Sequence, residues 1–380
     1  MQIGFVEAVD FRNYRTLSLA PGPRLNVLSG PNGQGKTNLL EALGLLVTGR
    51  SFRTPRIAEI PRWGSPAASL TGDLVRADGT SPTRRAVRRT VERLDDGRWQ
   101  LGGEPVEWAR AIAFGWQDLE IVNGAPSARR SFIDGVAGRL YPVHRSSLIQ
   151  FRQLLARRNR LLQGRSGDAA TRARLEPWDA QFATVGMELV NRRRRAVAAL
   201  QTELARVYGA LCATGGKVEI RYQTALGEAS DAAALLAALE RAQREEVRRG
   251  QTLVGPHRDD LAIEIDGVDA RAYGSRGQQR LVALALRLAE MLPVTDAAGT
   301  TPVLLFDDAL SELDPAAREQ IVRELAAAEQ VFLTAPEPLT VKGAAVFSVK
   351  AGGVASALVE RRSGGRFDVT HVRRADSAAA

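Results

Sequence analysis

The chain has 380 residues, 44% hydrophobic and 25% charged. That composition supports a large core and two to three domains of ~150 residues, and it excludes a disordered polymer. Lys and Arg number 52 against 43 Asp and Glu, a net +9 that favours an acidic partner such as nucleic acid.

Cys212 is the single cysteine, which excludes an internal disulfide framework and fits a reducing compartment. No apolar run reaches the ~18 residues of a membrane helix. Glu7 and Asp10 stand where a signal peptide needs basic and then unbroken apolar residues. These features predict a soluble, cytoplasmic protein with no membrane partner.

In chain order, residues 3–9 (IGFVEAV) and 25–29 (LNVLS) predict short strands, with Pro21, Gly22 and Pro23 turning between them. Residues 37–47 predict a helix, and 51–114 mix short alternating segments with Gly and Pro, the texture of sheet and loop. From about 131 the texture becomes helical. Leu148, Phe151, Leu155 and Leu162 fall on a three-four spacing, as do Val190, Val197, Leu200, Leu204, Val207 and Leu211, with Arg193 interrupting. A turn at 164–167 would join the two helices into an antiparallel arm, and a third helix is predicted over 231–249. Beyond these the pattern predicts strand 261–265, helix 277–292, strand 303–306, helix 315–328 and strand 331–334. The chain is thereby divided into an N-terminal lobe (1–130), a helical arm (131–250), a C-terminal lobe (251–372) and an Ala-rich tail (373–380) expected to be disordered. Residues 131–250 hold 20 Lys and Arg against 12 Asp and Glu, so the arm carries nearly the whole basic excess.

Residues 30–37 (GPNGQGKT) fit G-x-x-x-x-G-K-[ST] between a predicted strand and a predicted helix. Gly30, Pro31, Asn32, Gly33, Gln34 and Gly35 would curl backbone N–H groups around phosphate oxygens at a helix N-terminus. Lys36 would reach the β- and γ-phosphates, and the Thr37 hydroxyl would ligate Mg²⁺. The flanks weigh against a Gly-rich turn with an incidental lysine. Strand 303–306 ends in Asp307 and Asp308, placed to hold the Mg²⁺ shell and to orient or deprotonate water, respectively. Asp314 followed by Pro315 also predicts a helix cap.

Residues 275–280 (SRGQQR) and 311–314 (SELD) resemble the signature segment and D-loop of ABC-type ATPases. With 11–14 (FRNY), 51–54 (SFRT), 127–134 (SARRSFID), Arg158-Asn159 and 255–260 (GPHRDD), most of the chain resembles the RecF family, the bacterial recombination and gap-repair relatives of the SMC proteins. The resemblance implies an α/β fold: an ABC/SMC-type P-loop ATPase head in two lobes with an inserted helical arm. It also implies ATP and Mg²⁺ as cofactors, homodimerisation on ATP binding, and engagement of duplex and gapped DNA. Partnership with RecO and RecR in loading RecA, a link to the SOS response and a weak, DNA-stimulated ATPase acting as a switch follow from the same likeness. In this resemblance Ser275 and Gly277 meet the nucleotide held by the other protomer's Lys36. Gln117 is the Q-loop residue sensing Mg²⁺ or water, and Arg12 and Asn13 lie near the base and phosphates, with Arg53 acting likewise.

Three departures from the family pattern weigh against fast hydrolysis: many relatives read Pro-Glu where Trp116 and Gln117 stand, Thr334 and Ala335 follow strand 331–333 in place of a switch histidine, and Asp308 is one methylene shorter than the glutamate of transporter ATPases. A transporter subunit is excluded by the 238 residues separating Thr37 from Ser275. A fused nuclease has no room after 340, and an arm of ~40 residues per helix, ~60 Å, is too short for a long tether. The kinase-like His257-Arg258-Asp259 lacks the required Asn, since position 264 is Glu. The five tryptophans are expected in or near the core. Arg192, Arg194 and Arg195 are expected to contact DNA phosphates, with Arg193 on the apolar stripe.

Overall fold

A computed structural model describes the chain apart from residues 78–81, 164–168, 213–214, 312, 314, 327, 338–340, 342, 362–366 and 375–380. Two compact units divide it: Met1–Asp118 with Val294–Ala380, and Leu119–Pro293. These divisions differ from the texture changes near 130 and 250. The second unit takes in α-helical chain before 131 and the segment 251–293, because both pack on its longest helix.

The first unit opens with strands β1 (Gln2–Phe11), β2 (Tyr14–Leu19) and β3 (Leu25–Ser29), then helix α1 (Lys36–Thr48), then β4 (Ala67–Arg76), β5 (Thr83–Arg93), β6 (Trp99–Gly102) and β7 (Ala111–Phe114). The second unit holds α2 (Glu120–Asn123), α3 (Pro126–Leu140), α4 (Val143–Leu162), α5 (Ala169–Leu211), β8 (Val218–Gln223), α6 (Ala232–Arg249), β9 (Asp260–Ile265), β10 (Val268–Asp269), α7 (Ala270–Tyr273) and α8 (Arg276–Ala289). Helix α9 (Met291–Ala298) leads back to β11 (Val303–Phe306), α10 (Pro315–Leu325), β12 (Val331–Ala335), β13 (Ala345–Lys350), β14 (Gly353–Arg361) and β15 (Phe367–Arg374).

In the first unit, β13, β3, β12, β11 and β7 run parallel, in that order, and the β14–β15 hairpin extends the sheet antiparallel beyond β13. Strands β11 (VLLF) and β12 (VFLTA) are buried at every residue, the pattern of parallel strands covered on both faces. A second, antiparallel sheet has the order β2-β1-β4-β5-β6. It alternates instead: Leu70 and Leu74 of β4 join Val87 and Val91 of β5 in the core that also takes Leu39, Leu43 and Leu46 of α1. Gly49, left-handed at φ 67°, ends α1 and returns its N–H to the Leu45 carbonyl.

In the second unit, α5 runs 43 residues, ~65 Å, and α4 packs along it. The α5 stripe expected from Val190 to Leu211 is buried throughout. Arg193, which interrupts it, is 3% exposed and pairs bidentately with Asp134 at 2.8 Å for each nitrogen. The turn expected at 164–167 lies outside the described residues. The helix expected over 277–292 divides into α8 and α9. Pro293 lacks the N–H that a continuous helix needs, and the buried Glu290 at the break accepts from Arg287 at 2.8 Å.

A second buried charge cluster ties α4, α5 and α6 together. Arg158 is fully buried; its Nε donates to Asp179 at 2.7 Å, its Nη1 to Thr252 Oγ1 at 2.9 Å, and Glu246 stands 2.6 Å from its Nη2. Glu246 also accepts the Leu253 N–H at 2.8 Å. Removing one partner strands a buried charge, whereas an exposed pair contributes little. Glu246→Leu is therefore expected to destabilise the protein by about 3 kcal/mol in urea titrations followed by helix ellipticity. Arg98→Gln, in an exposed pair with Asp96, should leave the midpoint in place. Equal midpoints for wild type and Glu246→Leu would show that Arg158 does not depend on Glu246.

Candidate nucleotide-binding site

The phosphate loop leaves the end of β3 and enters α1, and its glycines are dictated by geometry. Gly30 has φ 149°, and a Cβ there would lie 2.3 Å from the Val349 carbonyl oxygen. Gly35 has φ 117°, and a Cβ there would lie 2.6 Å from Asn13 Nδ2. No other residue fits either position without displacing backbone or a neighbour. The loop is braced from outside. Asn13 Nδ2 donates to the Gln34 carbonyl at 3.1 Å, the Tyr14 hydroxyl to the Gly35 carbonyl at 3.0 Å, and the Ala351 N–H to Gln34 Oε1 at 2.7 Å.

Lys36 folds back over this loop, its Nζ donating to the carbonyls of Gly30 at 2.5 Å and Pro31 at 3.0 Å. Burial lowers the pKa of its ammonium, and the carboxylates of Asp307 and Asp308 pull it back up. Thr37 Oγ1 donates to Asp307 Oδ2 at 2.7 Å. Asp307 Oδ1 accepts from Thr334 Oγ1 at 2.9 Å, and the same hydroxyl oxygen accepts the Asp308 N–H at 2.8 Å. Asp308 sits at φ 52°, a left-handed conformation that costs a non-glycine residue energy, and its carboxylate accepts from the Ser311 hydroxyl. Asp314 lies outside the described residues.

The residues fit the groups expected of them. A hydroxyl and a carboxylate 2.7 Å apart are hard oxygen donors of the kind Mg²⁺ takes alongside phosphates and water. Among the described residues no group of three or more His, Cys, Asp or Glu is arranged for a metal. Gln117 follows β7, whose register with β11 pairs Phe114 with Phe306, so Gln117 and Asp307 emerge from the same end of adjacent strands. Its Nε2 stands 3.5 Å from the Arg53 carbonyl.

Other expected site residues are engaged differently. Arg12 holds the fully buried Glu41 of α1 bidentately at 2.8 and 2.7 Å and donates to the Glu59 carbonyl at 2.5 Å. Arg53 donates to Asn38 at 2.5 Å, and Ser51 to Glu41 at 2.6 Å. Arg12 thus positions α1, and the phosphate loop itself is touched by Asn13. Ser275 and Gly277 belong to the second unit, where Ser275 caps α8 in a reciprocal capping box with Gln278. Both are exposed, and a Cβ at Gly277 would meet nothing within 4 Å.

The arginine run on α5 departs most from expectation. Arg192 is buried at 7% exposure and bound to Ser147 at 2.9 Å and Glu188 at 2.8 Å. Arg194 donates to the carbonyls of Ala229, at 2.6 Å, and Gly227. Only Arg195 is exposed, its guanidinium 5.4 Å over the ring of Tyr141. The tryptophans also divide: Trp99, Trp108 and Trp178 are half-buried, but Trp63 is 97% and Trp116 69% exposed. In the sequence Glu41 had no assigned role, Tyr14 stood only as part of the 11–14 segment, and Thr334 stood only where a switch histidine is missing. Their positions in or beside recognised segments were the one available signal.

A family model described as the RecF/RecN/SMC N terminal domain matches residues 3–351. The DNA replication and repair protein RecF of Heliobacterium modesticaldum is 35% identical over 370 residues, covering 93% of this chain and 98% of that protein. RecF of Acidothermus cellulolyticus is 35% identical over 351 residues, covering 88% and 93%. Among solved structures, the recombination mediator protein RecF-ATP in the RecFOR pathway superposes with a TM-score of 0.82 at 27% identity, over 94% of this chain and 97% of that one. An Smc head domain from Pyrococcus furiosus, bound to the C-terminal domain of ScpA, shares the fold with a TM-score of 0.51 at 17% identity, over 93% and 96%. Agreement over nearly the full length of several relatives, at both sequence and fold level, settles the family: this chain belongs to the RecF family of DNA replication and repair proteins, built on the SMC-type ATPase head.

Proposed function

We propose that the protein is an ATP-dependent DNA-binding switch of recombinational repair and replication-gap processing. The observation that carries this reading is the hydrogen-bonded run Thr37–Asp307–Thr334–Asp308 beside Lys36, which gathers a phosphate loop, a hard-cation site and a second carboxylate at one end of a parallel sheet. The RecF-ATP structure supports ATP as the nucleotide. Bound Mg²⁺ would neutralise charge on the β- and γ-phosphates. Lys36 would exchange its carbonyl partners for phosphate oxygens, Thr37 and Asp307 would hold the cation, and Asp308 would orient water. Asp308 is short, strained and already engaged by Ser311, which favours slow turnover and a long-lived ATP state. Gln117 reports the state of the cation to its neighbours.

In this reading Ser275 and Gly277, exposed at the N-terminus of α8, complete the site of a second protomer, so ATP drives homodimerisation. The dimer binds duplex DNA near single-strand gaps in the cytoplasm and acts with RecO and RecR in loading RecA, with a link to the SOS response. The RecFOR pathway named for the solved RecF structures supports those partners, and the net +9 charge supports the DNA. Among the described residues no helix is long and apolar enough to cross a membrane.

Lys36→Met removes charge-assisted bonds worth about 1.5–3 kcal/mol, so ATP affinity should fall about 10- to 100-fold in equilibrium dialysis, and ATP-dependent dimers should vanish from sedimentation profiles. Asp308→Asn should retain ATP and dimerise while hydrolysis drops at least about 100-fold. Wild-type turnover in Asp308→Asn would remove Asp308 from water activation. Mixing Ser275→Arg chains with Lys36→Met chains should restore one working site per heterodimer, although neither variant hydrolyses ATP alone. Heterodimers that form without regaining activity would show that each site is complete within one chain.

A further inference from the structure

We infer that the solvent face of α4 is a phosphate-contact surface for duplex DNA. The inference rests on the DNA-binding reading above and supplies that reading with a site. Helix α4 has 20 residues, five of them Arg and none Asp or Glu. Its inner face is buried through Ser147, Phe151, Leu154, Arg158 and Leu162. At ~100° per residue, Ile149, Arg152, Gln153, Ala156, Arg157 and Arg160 gather within about 140° on the opposite side, and all six are exposed.

Some exposed arginines of this protein have a carboxylate neighbour, and others, Arg24, Arg88 and Arg244 among them, form no ion pair among the described residues. Arg84 has Asp73, Arg98 has Asp96, Arg206 has Glu203, Arg221 has Glu264 and Arg248 has Glu245. Among the described residues, none of Arg152, Arg157 and Arg160 forms an ion pair with a carboxylate, and Arg157 instead lies 5.0 Å over the ring of Trp178. Arg152 and Arg160 are ~12 Å apart along the helix axis. Arg195, the exposed member of the α5 run, adds its charge beside Tyr141, just ahead of the helix. Unpaired like charges held on one rigid face are unfavourable until an anion covers them.

The chemistry of the face selects the anion. Arginine and glutamine are donors that duplex phosphates accept without regard to sequence. A single-stranded site would add stacking aromatics, and the exposed arc of α4 carries none. A membrane surface would require a broad apolar face, and Ile149, 54% exposed, is the one large hydrophobe on this arc.

The test is the salt dependence of duplex affinity, measured by fluorescence anisotropy on the full-length protein with ATP. Two unrelated duplexes of about three helical turns are titrated from about 50 to about 200 mM salt. The variant is Arg152→Gln with Arg160→Gln, which spares Arg157 and its packing on Trp178. The control is Arg248→Gln with Arg249→Gln, whose arginines are carboxylate-paired on α6. The α4 variant should weaken binding equally for both duplexes and flatten the slope of log K against log salt by up to about 1.8, at ~0.9 per lost phosphate contact. The α6 control should keep the wild-type slope, and the helix ellipticity of both should match wild type. A wild-type slope in the α4 variant overturns the inference and leaves the DNA-binding reading intact. No duplex affinity in the wild-type protein overturns both. Unchanged duplex binding with lost affinity for a polyglutamate peptide also overturns the inference and assigns the face to an acidic protein segment.

Discussion

The Asp307 carboxylate is the constraint around which the first unit is organised. One oxygen takes the Thr37 hydroxyl from the first turn of α1, and the other takes the Thr334 hydroxyl from β12. Three segments far apart in sequence are thereby fixed to one carboxylate at the end of the parallel sheet. Hydrogen bonds to a charged acceptor are about twice as strong as neutral ones, and each partner here arrives on a buried element. Thr334 also receives the Asp308 N–H, so the left-handed backbone of Asp308 is held by the same network. Strain at one residue can persist only because its neighbours are over-determined.

Helix α1 is braced along its length in a manner that protects the loop before it. Glu41 is fully buried on this helix, a cost met by two-pronged pairing with Arg12 and a hydroxyl bond from Ser51. At the far end, Arg89 is 2% exposed and forms no ion pair among the described residues, and burial lowers its pKa. Its guanidinium donates instead to the carbonyl of Leu46 at 3.3 Å, in the last turn of α1, and to the carbonyl of Glu104. A cation at the C-terminal end of a helix is favoured by the same dipole that favours phosphate at its N-terminal end. The phosphate loop and Arg89 are therefore two uses of one field, separated by the length of α1.

What the sequence made legible was local or fully buried. The phosphate loop is eight consecutive residues, and strands 303–306 and 331–334 are short apolar runs, so no remote contact is needed to recognise them. Strands β2, β8 and β13 were missed because their half-buried patterns are broken by polar residues, as in β8 with Glu219 and Arg221. The candidate site divides the same way. Lys36, Thr37 and Asp307 are gathered by consecutive residues or strand ends, but the bonds that hold Arg12 and Arg192 were not foreseen. Glu41 and Ser147 are 29 and 45 residues away, and only the fold brings them close, although Arg192 also meets Glu188 one helical turn back.

The same physics explains where an arginine excess can be useful. A guanidinium carried into a core must bring a carboxylate or a set of carbonyls with it, as Arg158 and Arg193 do in the second unit. Four successive arginines on α5 cannot all meet that demand from one side of a helix. Two are absorbed by buried partners, Arg194 caps a pair of loop carbonyls, and Arg195 turns outward. On α4 the division is cleaner: Arg158 faces inward with two carboxylates, and Arg152, Arg157 and Arg160 face outward. Buried arginines paired with acids, as Arg158 and Arg193 are, therefore leave little net charge of their own. The charge exposed on α4 is that of Arg152 and Arg160, with Arg157 laid over Trp178. A dense run of arginines in the sequence is for that reason a poor guide to where positive charge is exposed.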